Sequence, residues 1–380
     1  TYPRAGNIGG GGFMVIHSTE RNEDVAIDYR ETAPAAATSN MFLGPDGKPD
    51  PDKSRNSALG IGVPGTVAGL ALALAEYGSG KFTLAQLLQP AIRLARDGFV
   101  VTDDSADTLP HWHKRLARWP ASAKIFSRAD GSSLREGDRL VQTDLAATLE
   151  AIAAQGARGF YAGPVADRLA QAIQAAGGII TPDDLKHYRA IVRAPMRGRY
   201  RGHDIVSMPP PSSGGVVLIE TLNILEGFAM GDLKPGSAAS LHLLIEAMKR
   251  AYADRARFLG DPAFVDAPIA RLTSKDYAAR QRARIDPDRA TPWSEMLPVR
   301  LPREGDNTTH FSVVDSHGNA VSNTYTLNFS YGLGLVADGT GVLLNNEMDD
   351  FTAAPGASNA YGPVGFEANL PGPGKRPLSS

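Results

Sequence analysis

The stretch Asp306–Phe329, DNTTHFSVVDSHGNAVSNTYTLNF, sets two apolar, β-rich runs on either side of a turn. The runs are His310–Asp315 and Ala320–Leu327, with Ser316, His317, Gly318 and Asn319 between them. Alternation broken by a Gly-containing turn predicts a β-hairpin. With Gly318 in the left-handed position of a three-residue loop, Asp315 pairs with Asn319. Counting back along both arms then sets Thr308 opposite Thr326. Side chains alternate along a strand, so Thr308, His310 and Ser312 share a face with Thr324, Thr326 and Asn328. That face carries hydroxyls and amides where a core-facing strand would carry Val or Leu. A polar inner face is costly to bury unless its groups are satisfied, so it points to a site.

A threonine hydroxyl is a weak nucleophile at neutral pH and needs a base. Making the residue the first of a chain supplies one, its own α-amine. The Asn307–Thr308 junction stands just before a strand and after the loop-like run Leu301–Asp306. Attack of the Thr308 hydroxyl on the Asn307 carbonyl, an acyl shift to oxygen and hydrolysis would turn an internal threonine into an N-terminal one. Plainer readings exist for the same residues. Asn307-Thr308-Thr309 and Asn328-Phe329-Ser330 fit the glycosylation sequon, and Thr-rich strands are ordinary β-formers.

Composition narrows the class. A length of 380 residues admits two or three domains or one large mixed fold, and 42% hydrophobic residues suffice for a sizeable core. A net charge of −2 implies no nucleic acid or anionic membrane as partner. The absence of cysteine excludes disulfides and thiolate metal sites. No apolar run is long enough to span a bilayer. The opening Thr1-Tyr2-Pro3 and the close at Leu378-Ser379-Ser380 read as the edges of a piece of a longer protein.

Gly6–Gly12 run into a strand at Phe13–His17 and lack the Lys-Ser/Thr of a phosphate loop, so they read as permitting close backbone approach. A second strand, Asp24–Tyr29, pairs with the first after a turn at Glu20–Glu23, and Arg30 stands at its end. A guanidinium there is a bidentate clamp for a carboxylate, or else a partner of Glu31 or Asp28. Helices are expected at Val67–Tyr77 and at Thr83–Asp97, with a kink or break at Pro90. Others are expected at Leu145–Gln155, capped by Thr143 or Asp144, at about Pro164–Ala176, and from Thr181 onward. Strands follow at about Arg193–Tyr200 and Ile205–Met208. Ser212 or Ser213 is expected to cap a helix at Val216–Leu225, whose N-terminus could hold an anion. The stripe Leu241, Leu244, Ile245, Met248, Tyr252 marks a further helix and reads as its core face. His111 and His113 flank Trp112 without the further ligands a metal needs.

Beyond the hairpin, short strands are expected at Leu333–Ala337 and Gly341–Leu344. Asn345–Phe351, NNEMDDF, offers a carboxylate pair suited to an ammonium group better than a hard-cation loop. Pro355–Phe366, rich in Gly and Pro around Tyr361, reads as a lid.

NTTHFSVVD, GNAVSNTYTLN and VLLNNEMDDF together resemble γ-glutamyltranspeptidase, a family of N-terminal nucleophile hydrolases. The likeness runs along the whole chain through GNIGGGGFMVI, DYRETAP, GVPGTVAGL, MPPPSSGG, AYADR and KRPLSS. It implies an α+β fold, a four-layer αββα sandwich truncated here, in which residues 1–307 are a large-subunit portion and 308–380 the start of a small subunit. Self-cleavage would fall at Asn307–Thr308. Thr308 would be the nucleophile and Thr326 its hydrogen-bonding partner. Arg30, Ser379 and nearby Ser380 would hold the α-carboxylate of a glutamyl group; Asn328, Glu347 and Asp350 would hold its α-amine, and Tyr361 would close as a lid. The donors implied are glutathione and similar γ-glutamyl compounds, and the acceptors water, amino acids or peptides. Neither cofactor nor metal enters this scheme. Periplasmic or secreted placement is implied by the family alone. The family's oxyanion-hole glycines would lie beyond Ser380.

Two other readings share parts of this pattern. A related acylase, such as a cephalosporin acylase, would keep Thr308 and the hairpin but take another acyl group. A non-catalytic small-ligand protein would show neither chain cleavage nor a covalent adduct at Thr308.

Overall fold

The computed structural model describes residues 2–296, 308–360, 362 and 365–379. Its strands nearest the hairpin are β1 (Gly11–Ser18), β2 (Glu23–Tyr29), β3 (Ile191–Arg193), β4 (Met196–Tyr200), β5 (His203–Ser207), β6 (Thr308–Val314) and β7 (Ala320–Thr326). Five of them make an antiparallel sheet in the order β3-β2-β1-β7-β6, and β4 and β5 form a separate hairpin.

The register of the β6–β7 hairpin is the one counted from its turn. Asp315 N–H donates to the Asn319 carbonyl at 3.0 Å, Gly318 has φ +86°, and Thr308 faces Thr326. The face is less enclosed than expected: β6 is an edge strand, and Thr308, His310 and Ser312 are exposed. Their partners on β7, flanked by β1, are half-buried or buried.

Glycines let β1 lie against β7. A Cβ on Gly10 would run into the Thr326 carbonyl, and one on Gly12 into the Thr324 carbonyl. Close approach, rather than phosphate binding, accounts for these glycines. The strand expected at Arg193–Tyr200 is divided instead. Pro195, which has no N–H to give a ladder, separates β3 from β4.

The helices that matter most here are α1 (Thr66–Tyr77), α2 (Leu84–Asp97), α3 (Thr143–Gln155), α4 (Gly214–Leu225), α5 (Ala238–Phe258) and α6 (Lys275–Arg282). Helix α2 starts with a capping box between Thr83 and Gln86 and runs through Pro90 without a break. Pro90 is exposed, so water can take up the carbonyl it leaves unpaired. Helix α3 begins at Thr143 itself with no side-chain cap.

The apolar stripe of α5 faces the other way from the expectation. Leu241, Leu244, Ile245 and Met248 are 36–50% exposed, whereas Leu243, Ala247 and Ala251 are buried. The inner face also takes in Glu246, Arg250, Asp254 and Arg255. Arg250 donates to Glu246 at 2.8 Å, and charges paired in this way can be turned inward.

The chain after the hairpin is threaded through the helical part. Leu333, Leu335, Val342 and Leu344 pack with Ile92, Leu149, Ile152, Phe160 and Ile173. Leu327, Tyr331, Val336 and Leu343 pack with Leu109, Leu116 and Phe126, and half-buried Trp112 joins them. This burial pins both ends of the segment leading from β7 to the acidic turn at Glu347–Asp350. Among the described residues no helix is long and apolar enough to cross a membrane.

Candidate active site

A cavity of 340 Å³ opens between the sheet, the β4–β5 hairpin and the segments Asn345–Phe351 and Pro377–Ser379. Every candidate residue that the structure describes lies on its wall: Arg30, Thr308, Thr326, Asn328, Glu347, Asp350 and Ser379. They come from positions up to 349 residues apart in sequence. Asn307, Tyr361 and Ser380 lie outside the described residues.

The nucleophile candidate stands at the first position of β6. The Thr308 hydroxyl donates to Thr326 Oγ1 at 3.5 Å, and Thr326 Oγ1 also accepts the Asn328 N–H at 3.0 Å. Asn328 leaves the strand at φ +75°, a turn that brings its amide to the Asn346 carbonyl at 2.9 Å. One step along the same face, His310 Nδ1 meets Thr324 Oγ1 at 2.6 Å, and its Nε2 lies 3.3 Å from both Ser312 and Ser322. Ser322 completes the polar row; strict alternation along β7 includes it.

Arg30 is 2% exposed; its backbone N–H donates to Asp28 Oδ1 at 3.0 Å, but its guanidinium bonds to neither of the expected neighbours, Glu31 or Asp28. Its Nη1 donates to Glu347 Oε1 at 2.5 Å, its Nη2 to Asp350 Oδ2, and its Nε to the Pro377 carbonyl at 3.1 Å. Asp28 is held instead by Arg193 and Arg376. The guanidinium and the two carboxylates read from sequence as separate recognition groups are thus one buried ion cluster. Burial pushes the Glu347 carboxyl well above the usual range, against the opposing pull of Arg30. Arg30 itself is held above its ordinary value by Glu347 and Asp350, which outweigh its burial.

The acidic run does not act as a unit. Asp349 points away to Ser54 and Arg55 and accepts the Ala360 N–H. The other side of Asp350 is fixed by Asn359, which donates to its Oδ1 at 2.7 Å.

Ser379 is tied in through its backbone. Its N–H donates to the Pro211 carbonyl at 2.9 Å, and its carbonyl accepts Arg255 Nη2 at 3.0 Å. Arg255 Nε also donates to Ser213 Oγ at 3.1 Å. Of the two serines expected to cap α4, Ser212 does so, its Oγ accepting the Gly214 N–H at 3.3 Å, while Ser213 makes no capping bond and has turned to Arg255. Burial lowers the Arg255 guanidinium to about 10. The motif AYADR contains Arg255, but nothing local in the sequence tells that its side chain reaches the C-terminal segment.

A hydroxyl at a strand terminus, paired with a second hydroxyl and opening on a buried arginine–carboxylate cluster, suits acyl transfer from a small, doubly charged donor. The same fold occurs in solved structures of two kinds. The chain overlays gamma-glutamyltranspeptidase from Helicobacter pylori with a TM-score of 0.74 and 44% identity, covering 76% of this chain and 82% of that one. It overlays a cephalosporin acylase from Bacillus halodurans with a TM-score of 0.82 and 26% identity, covering 99% of this chain and 66% of that one. The fold is therefore the mixed α/β one shared by these two enzymes.

The gamma-glutamyltranspeptidase family model matches residues 1–380, and the chain belongs to that family. The chain is 51% identical over 381 aligned residues to the glutathione hydrolase proenzyme of Escherichia coli (strain K12). That alignment covers all of this chain and 65% of the relative's length.

Proposed function

We propose that the protein containing this chain is a γ-glutamyltranspeptidase, a glutathione hydrolase made as a proenzyme. In this reading Thr308 cuts the chain after Asn307 and emerges with a free α-amine. That amine takes the hydroxyl proton as Thr308 attacks the γ-carbonyl of the donor. The bond to the leaving amine breaks as the amine receives the proton, leaving a γ-glutamyl ester on Thr308. Water, an amino acid or a peptide then takes the acyl group. Thr326 orients the nucleophile. Arg30, Ser379 and Ser380 receive the α-carboxylate, Asn328, Glu347 and Asp350 receive the α-ammonium, and Tyr361 closes over both. Oxyanion stabilisation falls to glycines beyond Ser380, within a completed four-layer αββα sandwich. Export to the periplasm or medium belongs to the same proposal.

One observation carries this reading: Thr308 and the Arg30–Glu347–Asp350 cluster share one small cavity. A zwitterionic head group needs one cation and one or two anions at fixed spacing from the reacting carbonyl, and the cluster offers both signs. The likeness to a cephalosporin acylase supports a second reading, a different acyl group on the same nucleophile.

Intact mass and N-terminal sequencing of the full-length protein, beside Thr308→Ala, tests the common part. The expected wild type contains a fragment beginning Thr308-Thr309-His310, and the variant stays whole. Two uncut chains would sink both readings. Competition by free L-glutamate against a chromogenic γ-glutamyl anilide then separates the γ-glutamyl enzyme from an acylase of other specificity.

A further inference from the structure

The cavity continues past Thr308, away from the charged cluster, into a half that the head-group residues do not reach. Cross-strand register orders the polar face along it. Asn328, bonded to the Asn346 carbonyl beside Glu347, marks the Arg30 end. Thr308 opposite Thr326 comes next, then His310 opposite Thr324, then Ser312 opposite Ser322. Successive rungs on one face of a strand pair stand about 7 Å apart. Val15 of β1, paired with Ser322, and Val206 of β5 wall the far half.

The two ends differ in enclosure and charge. Arg30, Glu347 and Asp350 are buried, whereas His310 and Ser312 are exposed and Ser322 is half-buried. Apart from that charged cluster, His310 is the one imidazole or charged side chain among the described residues lining the cavity. Its two nitrogens are held unequally. Nδ1 lies 2.6 Å from Thr324 Oγ1, but Nε2 is 3.3 Å from both Ser312 and Ser322, at the long end for a hydrogen bond. Imidazole and hydroxyls can each donate and accept. Nε2 and the serines can therefore exchange weak mutual contacts for the carbonyl or N–H of a ligand.

Resting on the γ-glutamyl reading above, we propose that His310 and Ser322 form the subsite for the amine component of the reaction. They hold the first peptide group of the amino-acid amide or peptide that leaves the donor, and of the one that later takes the acyl group. With the head group at the closed end and the γ-carbonyl at Thr308, whatever is bonded to that carbonyl extends toward His310. An extended residue spans about 3.5 Å. The first peptide group of the amine thus falls between the Thr308 and His310 rungs, within hydrogen-bond reach of the latter. In transfer, the amine lone pair forms the new C–N bond as the bond from the acyl carbon to Thr308 Oγ1 breaks. The amine proton passes by way of the Thr308 α-amine to Oγ1, and His310 exchanges no proton. Water carries no group for the subsite to hold, so the subsite favours transfer over hydrolysis.

Glycinamide and ethylamine serve as acceptors, the first carrying the peptide-like group and the second lacking it. A chromogenic γ-glutamyl anilide gives one acyl-enzyme, and the ratio of transfer product to free glutamate reports its partition between amine and water. In the mature full-length protein, His310→Ala is expected to lower the glycinamide ratio about tenfold, and the ethylamine ratio by less than about twofold, as for one lost hydrogen bond. His310→Gln, whose amide still donates and accepts, is expected to recover most of the loss. Ser322→Ala is expected to show the same selectivity in smaller measure, and it decides the matter if the His310 variants do not mature. Equal losses for the two amines, or no loss for either, overturn the inference, because a merely structural role does not tell them apart. A wild type that neither hydrolyses nor transfers the anilide removes the γ-glutamyl reading and this inference with it. An active wild type with unselective variants removes this inference alone.

Discussion

Glu220 on α4 offers a quantitative test away from the candidate cavity. It is fully buried, both its oxygens lack hydrogen-bond partners among the described residues, and Asp254 of α5 lies beside it. Asp254 is occupied by Tyr277, whose hydroxyl donates to it at 2.6 Å, and by Gln281. Burial, reinforced by the Asp254 charge, pushes the Glu220 carboxyl from 4.5 to about 9. A folded-state value above the unfolded one means that stability is greatest below 4.5 and falls as pH rises, levelling off above about 9. Between 4.5 and neutrality, at about 1.4 kcal/mol per pH unit, the loss is roughly 3 kcal/mol. Glu220→Gln removes this dependence and gives Asp254 a permanent donor. Urea denaturation across that range is expected to show the variant's advantage growing from near zero in acid to roughly 3 kcal/mol at neutral pH. A difference that stays constant with pH, or shrinks as pH rises, would refute the assignment of a proton to this pair.

Arg30→Gln strands Glu347 and Asp350 without their cation and is expected to cost about 3–5 kcal/mol in urea unfolding, with activity lost. Arg30→Lys keeps the charge but cannot reach Glu347, Asp350 and Pro377 together, so KM for a γ-glutamyl anilide is expected to rise about tenfold or more; an unchanged KM would contradict the clamp. Gly12→Ala places a methyl group against the Thr324 carbonyl and is expected to lose about 2 kcal/mol or more by thermal or urea melts. Leu243→Ala should cost about 2–5 kcal/mol, whereas Ile245→Ala on the open face of α5 should cost under about 0.5 kcal/mol. An equal loss for the two would mean that the intact protein covers that face.

Local rules were enough where they had no competitor. The hairpin register followed from Gly318 and side-chain alternation, because one turn type fixes both arms. The helix starts expected near Thr83 and at Thr181 likewise depend on adjacent residues alone. Helix α5 shows where such rules end. Its apolar period is clear, but which face turns inward was decided by Glu246 and Arg250 satisfying each other, information that periodicity lacks. The serine pair is a comparable case: sequence left Ser212 and Ser213 as equal candidates for the cap, and the choice fell to Ser212 because Ser213 is taken by Arg255, which lies 42 residues further along the chain.

The candidate site was legible as parts and not as a circuit. Sequence offered Arg30 as a carboxylate clamp and Glu347 with Asp350 as an ammonium trap, each awaiting its own ligand charge. In the folded chain these opposite charges meet each other, and the pairing offsets part of the cost of burying them. This changes what binding requires on the γ-glutamyl reading. A simple anion arriving at Arg30 would strip it from two buried acids and leave them without a cation. A zwitterion can exchange both pairs at once, its carboxylate taking Arg30 as its ammonium takes the acids. On that reading the paired cluster therefore favours ligands carrying both charges on adjacent groups.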